Sequence, residues 1–180
     1  RTALTSIGQA LTVSNCEFTT RNARAILVDN NNLTLTGSRF TRCGHKKLDG
    51  GAVWHTDDKR VITDCRFDHC LAWLGGALYF SKSLYGVSQC EFDDCKSLAL
   101  QERNAGDIAV YALTNRGSVV VERCVFRHTS LYVGDSDASS DRSMASACQF
   151  VHGNLYYARG GHSRTSNCTF HYGRKIDLEI

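Results

Sequence analysis

Short apolar segments recur along this chain, and each closes on a phenylalanine. The phenylalanines Phe18, Phe40, Phe67, Phe92, Phe126, Phe150 and Phe170 are separated by 22, 27, 25, 34, 24 and 20 residues. Two positions before them stand Cys16, Ser38, Cys65, Cys90, Cys124, Cys148 and Cys168. Five before stand Val13, Leu35, Ile62, Val87, Val121, Ala145 and Thr165. Cysteine and phenylalanine at i and i+2 face the same side of a strand. The residue at −5 lies three before the cysteine, which breaks that parity. A bend at the −4 or −3 residue restores it. A second apolar segment follows most of the phenylalanines, at 25–28, 52–54, 77–79, 108–111, 131–133 and 155–157. Three of these follow glycine, at Gly50-Gly51, Gly75-Gly76 and Gly106-Asp107, where a corner needs a tight backbone. Each unit therefore predicts two or three very short strands joined by bends. Residues 96–104 and 134–142 predict loops that leave the repeat.

A unit of this size cannot bury its apolar side alone, but stacked copies can. Stacking sets equivalent residues one above another at the strand spacing of about 4.8 Å, Phe on Phe and Cys on Cys. The fold expected is all-β: a right-handed parallel β-helix, a solenoid of about seven coils, forming one domain over residues 1–180. A leucine-rich repeat needs a Leu/Asn consensus that is missing, and propeller blades run to about 40 residues or more. The chain opens in mid-pattern and closes on a strand-like segment. It is expected to be a piece of a longer repeat protein.

Composition agrees. Proline is absent, as suits a chain that is nearly all paired strand. The 21 basic and 18 acidic residues are too balanced to imply a nucleic-acid partner. No apolar run is long enough to predict a membrane span.

Nine cysteines ordinarily suggest a disulfide framework or a zinc site. Here they fall into two columns, because Cys43, Cys70 and Cys95 stand three after Phe40, Phe67 and Phe92. Stacked equivalents lie farther apart than the Cβ separation of about 3.8 Å that a disulfide prefers. The Cys65/Cys70 spacing recurs as Cys90/Cys95, following the coil period and not a chelate. Mostly free, buried thiols are expected.

The unit Cys65-Arg66-Phe67-Asp68-His69-Cys70 with Gly75-Gly76-Ala77-Leu78-Tyr79, and Phe40-Thr41-Arg42-Cys43 with Gly50-Gly51-Ala52-Val53, resemble a known repeat. They are similar to those of chlamydial polymorphic outer membrane proteins and related β-helix surface proteins, within the pectate-lyase-like β-helix superfamily. Cysteine stands where those repeats carry the Asn of Phe-x-x-Asn. The resemblance implies an extracellular or cell-surface location and an adhesive role, with a host or cell-surface protein or a polysaccharide as partner.

Candidate chemistry gathers two positions after phenylalanine, at Arg42, His69, Asp94, His128 and His152, with Asp68, Asp93 and His171 beside them. If coils stack, imidazoles and carboxylates line one face, able to take calcium or to act as an acid/base pair. Asp68, His69, Asp93 and Asp94 are the catalytic candidates; Arg42, His128 and His152 are the binding candidates. Asp135, Asp137 and Asp141 form a second candidate calcium site, without EF-hand spacing. A third candidate is His55-Thr56-Asp57-Asp58-Lys59-Arg60, expected to be a charged turn between coils; its Asp57 and Asp58 are adjacent, and in a strand they point to opposite faces. Trp54, Trp73, Tyr156 and Tyr157, if exposed, offer stacking surfaces for sugars. Of the signatures that polygalacturonases show, only the Asp-Asp pair is present. Three roles follow as expectations: a non-catalytic structural or adhesive module; a carbohydrate-active enzyme or its inactive relative; or a module packing end to end with other β-helix chains, since open coil ends invite pairing.

Overall fold

A computed structural model describes residues 2–29, 31–56, 59–81, 85–99, 107–114, 119–135, 143–158 and 164–178. Three parallel sheets run along one axis, and every ladder between their strands is parallel. Sheet A has eight strands: Thr2–Ile7, Arg24–Asp29, Val53–His55, Leu78–Ser81, Ile108–Thr114, Ser130–Asp135, Leu155–Ala158 and Lys175–Leu178. Sheet B has seven, from Leu11–Ser14 to Arg164–Ser166. Sheet C carries the phenylalanines on seven strands, from Glu17–Arg21 to Thr169–His171. First to last, these span six full turns of the coil. The apolar segments expected after each phenylalanine all contribute to sheet A.

The register is the one the spacing implies. Each phenylalanine pairs with the phenylalanine of the next coil, with ring centroids 4.9–5.0 Å apart. Phe40, Phe67, Phe92, Phe126 and Phe150 are fully buried. The bend that restores parity is a single left-handed residue at −3, with φ between 50° and 55° at Asn15, Gly37, Asp64, Gln89, Arg123, Ala147 and Asn167. A second left-handed corner stands at +2, at Arg42, His69, Asp94, His128, His152 and Tyr172. Such a backbone is unfavourable for most L-residues. It is held because corner amides donate to the next coil, as His69 N to Asp93 O at 2.9 Å and Gln89 N to Glu122 O at 3.0 Å.

The cysteine columns are columns of free thiols. Cys90 Sγ donates to Ser88 O at 3.2 Å in its own coil and lies 3.8 Å from Ile62 O in the coil before. Cys65, Cys124, Cys148 and Cys168 repeat this arrangement. Ser38 fits the column because its hydroxyl donates to the equivalent carbonyl, Thr36 O, at 2.9 Å. Cys43, Cys70 and Cys95 reach back to Phe18 O, Phe40 O and Phe67 O. Burial pushes the Cys70 thiol well above its ordinary pKa. Hydrogen bonding to Cys124 and Cys65, together with burial, does the same to Cys90.

Past the second corner, sheet C continues through the middle coils. There Gly44 and His45 pair with Leu71–Ala72, which pairs with Lys96–Ser97. Lys96 and Ser97, expected in a loop, are thus strand residues. The coils cross here at backbone contact: a Cβ on Gly51 would lie 2.0 Å from Gly76 O, and one on Gly76 would lie 2.5 Å from Lys96 N.

Candidate functional site

The second corner brings the catalytic candidates together. His69 Nδ1 lies 2.8 Å from Asp68 Oδ1, and its Nε2 lies 3.3 Å from Asp94 Oδ2 in the next coil. Lys96 Nζ approaches the other oxygen of Asp94 at 3.3 Å. Asp93 sits in register with Asp68 on sheet C, an unfavourable like-charge neighbour, and is met by His128 Nδ1 at 3.4 Å. His128 stacks on His152 at 5.5 Å, and His152 on the exposed Tyr172 at 4.8 Å. Arg42 occupies the same corner one coil below His69 and is exposed, without an ion pair among the described residues. His171 lies beside the corner on the last phenylalanine strand.

These groups are solvated: the side chains of His69 and His128 are 53% and 60% exposed. Their pairings are correspondingly weak, of the order of 0–1 kcal/mol each. Their identities also have a local cause, since Asp and His enter the left-handed region more readily than most residues. Among the described residues, no three His, Cys, Asp or Glu side chains come close enough to hold a metal ion, so this column supplies pairs and not a cage. Asp135 ends the strand Ser130–Asp135 where a loop was expected; Asp57, Asp58, Asp137 and Asp141 lie outside the described residues.

The aromatic candidates divide. The outward column of sheet A runs Leu27, Trp54, Tyr79, Tyr111, Tyr132, Tyr156 and Ile176 in register. Tyr79 stacks on Tyr111 at 5.8 Å and Tyr111 on Tyr132 at 4.6 Å. Rings in such a file spend their faces on one another. Tyr156 and Tyr157 are each 3% exposed, so neither offers a face to sugar. Tyr156 belongs to a second apolar cluster with Ile108, Tyr111 and Tyr132, and Tyr157 points into the main core. Trp54 is half-buried with the Arg24 guanidinium 5.4 Å from its ring. Trp73 is the exception, 46% exposed.

Two cations are buried where the sequence did not foresee it, and His55 and Arg60, expected in a charged turn, are buried strand residues. Arg60 is 2% exposed, lies 4.2 Å from the Phe80 ring centroid, and donates from Nη1 to His55 Nδ1 at 3.2 Å. His55 Nε2 in turn sits 2.8 Å from Asn31 O. With Nδ1 accepting, this arrangement is that of the neutral Nε2–H tautomer. A signal existed: Arg60 stands in register with Leu33 and Tyr85 at the start of the sheet B strands, a charge in an otherwise apolar column. Arg24 donates to the carbonyls of Asp49 and Gly50. Burial lowers its pKa, and the Asp49 carboxylate raises it.

No curated protein and no solved structure matches this chain. Residues 2–129 match the family described as the right handed β-helix region. With that match covering most of the chain, and three parallel sheets wound on one axis, the protein belongs to the right-handed β-helix family.

Proposed function

We propose that the chain is a rigid, non-catalytic module of a secreted or surface-displayed protein, with a structural or adhesive role. It would bind a polysaccharide or a protein of a cell surface along its side. The observation that carries this reading is how fully the polar corner is engaged with itself. Asp94 has one oxygen on His69 and the other on Lys96, while His69 has a carboxylate at each ring nitrogen. A general acid or base must present an atom free to meet the substrate. Here neither ring nitrogen of His69 is free of a carboxylate, and the strip lies on an outward corner, so it is better suited to recognition than to proton transfer.

A carbohydrate-active enzyme, or an inactive relative of one, is the second reading. The contact favouring it is Asp68 with His69, a carboxylate orienting an imidazole. The test is incubation with polygalacturonate and with neutral glycans, with and without calcium, measuring reducing ends and unsaturated products. The non-catalytic reading expects neither product to form. Cleavage that disappears in Asp68→Asn and His69→Gln would overturn it.

A further inference from the structure

Among the described residues the exposed large apolar side chains are Ile7, Val61, Trp73 and Tyr172. Of these, Trp73 stands two residues along the chain from a surface depression containing both signs of charge. That depression is lined by His69, Cys70, Leu71, Asp94 and Lys96. Leu71 pairs in register with Lys96, and Ala72 is buried. Trp73, exposed, stands two residues after Leu71, at the bend that ends this short strand. Its backbone is fixed from both neighbouring coils: its N–H donates to Leu48 O at 2.8 Å, and its carbonyl accepts from Ser97 Oγ and Ala99 N, both at 2.9 Å. No ring stacks on the indole among the described residues, in contrast to the filed rings of sheet A. An indole held on a rigid strip, with donors and acceptors in the depression two residues along the chain, has the elements that bind a pyranose: an apolar face for its C–H side and polar groups for its hydroxyls.

We propose that Trp73, with the His69–Asp94–Lys96 depression beside it, is a binding subsite for a neutral oligosaccharide. One sugar packs on the indole, and the next lies over the depression. There Lys96, with one of its three donors on Asp94, donates to sugar hydroxyls, and Asp94 accepts from them through its remaining lone pairs. Neutral sugars are favoured over uronates because the lysine of the depression already faces Asp94, with Asp68 and Asp93 beside it. The inference rests on the proposed reading of a binding module and names its ligand class and its place.

The chain has two tryptophans, so a Trp54→Phe variant reports emission from Trp73 alone. That variant and the unmodified chain are titrated with cellohexaose, mannohexaose and galactohexaose, and with polygalacturonate as the anionic control. The expected result is saturable quenching by at least one neutral hexaose and none by polygalacturonate. By calorimetry, Trp73→Ala weakens that binding by about tenfold or more, on the scale of one lost aromatic contact. Trp73→Tyr restores most of it, and circular dichroism stays unchanged in both. Equal affinity in Trp73→Ala and the unmodified chain overturns the subsite, as does the absence of binding to every neutral hexaose. Neither result touches the module reading, which still has protein partners. Cleavage of a bound hexaose, by contrast, overturns the non-catalytic reading while leaving the subsite in place.

Discussion

Two columns ride on the same parallel register and differ in almost everything else. Two residues before each phenylalanine, six coils carry cysteine, and the seventh carries Ser38, which makes the same bond to a carbonyl two residues back. Two residues after phenylalanine, the corner carries Arg42, His69, Asp94, His128, His152 and Tyr172 in turn. The inner column is confined between neighbouring coils, where a side chain must fill a fixed volume and satisfy its one polar atom. The outer column is asked only to adopt a left-handed backbone whose amide donates to the next coil. The difference teaches where function can vary in a solenoid: identity is fixed inside by packing and left open outside, on one shared hydrogen-bonded register.

Substitutions can break or sharpen that contrast. The largest effect is expected for Phe92→Ala, which removes a fully buried ring stacked 4.9 Å from both Phe67 and Phe126. It should cost about 3–5 kcal/mol in urea unfolding, and the half-buried Phe170 clearly less. Gly51→Ala should follow at about 2–3 kcal/mol, because the added carbon would meet backbone oxygen of the next coil. Cys90→Ser should lose only about 1 kcal/mol, as Ser38 already shows how a hydroxyl sits in that column. Asp94→Asn should change stability by no more than about 0.5 kcal/mol, since its partners are half-exposed. A thiol reagent added to the native protein should label Cys16 quickly and the seven buried cysteines only on unfolding.

Much of the interior was legible in the sequence, because phenylalanine and cysteine recur at fixed offsets and the parity break at −5 demands a bend. That bend is the left-handed residue at −3. The stacking of Asp68 with Asp93 and the nearness of His69 to Asp94 followed from the same offsets. Less was legible where an outward residue is covered by other parts of the fold. Tyr156 alternates outward from sheet A yet is buried, and no spacing on one strand reveals what lies over it. Arg60 was missed for the opposite reason: its column was readable, but a charge there contradicts the apolar pattern and finds its place only through Phe80 and His55. Trp73 could not be separated from Trp54 by sequence, as exposure depends on what the neighbouring coils contribute. The family match extends the fold reading and is silent on the surface-protein resemblance.

The claim that the outer corner is free of structural duty is tested most directly by the melting temperature of one triple variant, His69→Asn, Asp94→Asn and His128→Asn together. Asparagine keeps the left-handed preference while deleting every ion pair of the strip. The account predicts a cooperative melt within about 3 °C of the unmodified chain. Loss of cooperativity, or a fall of about 10 °C or more, would mean that the strip holds the coils together, and would contradict it.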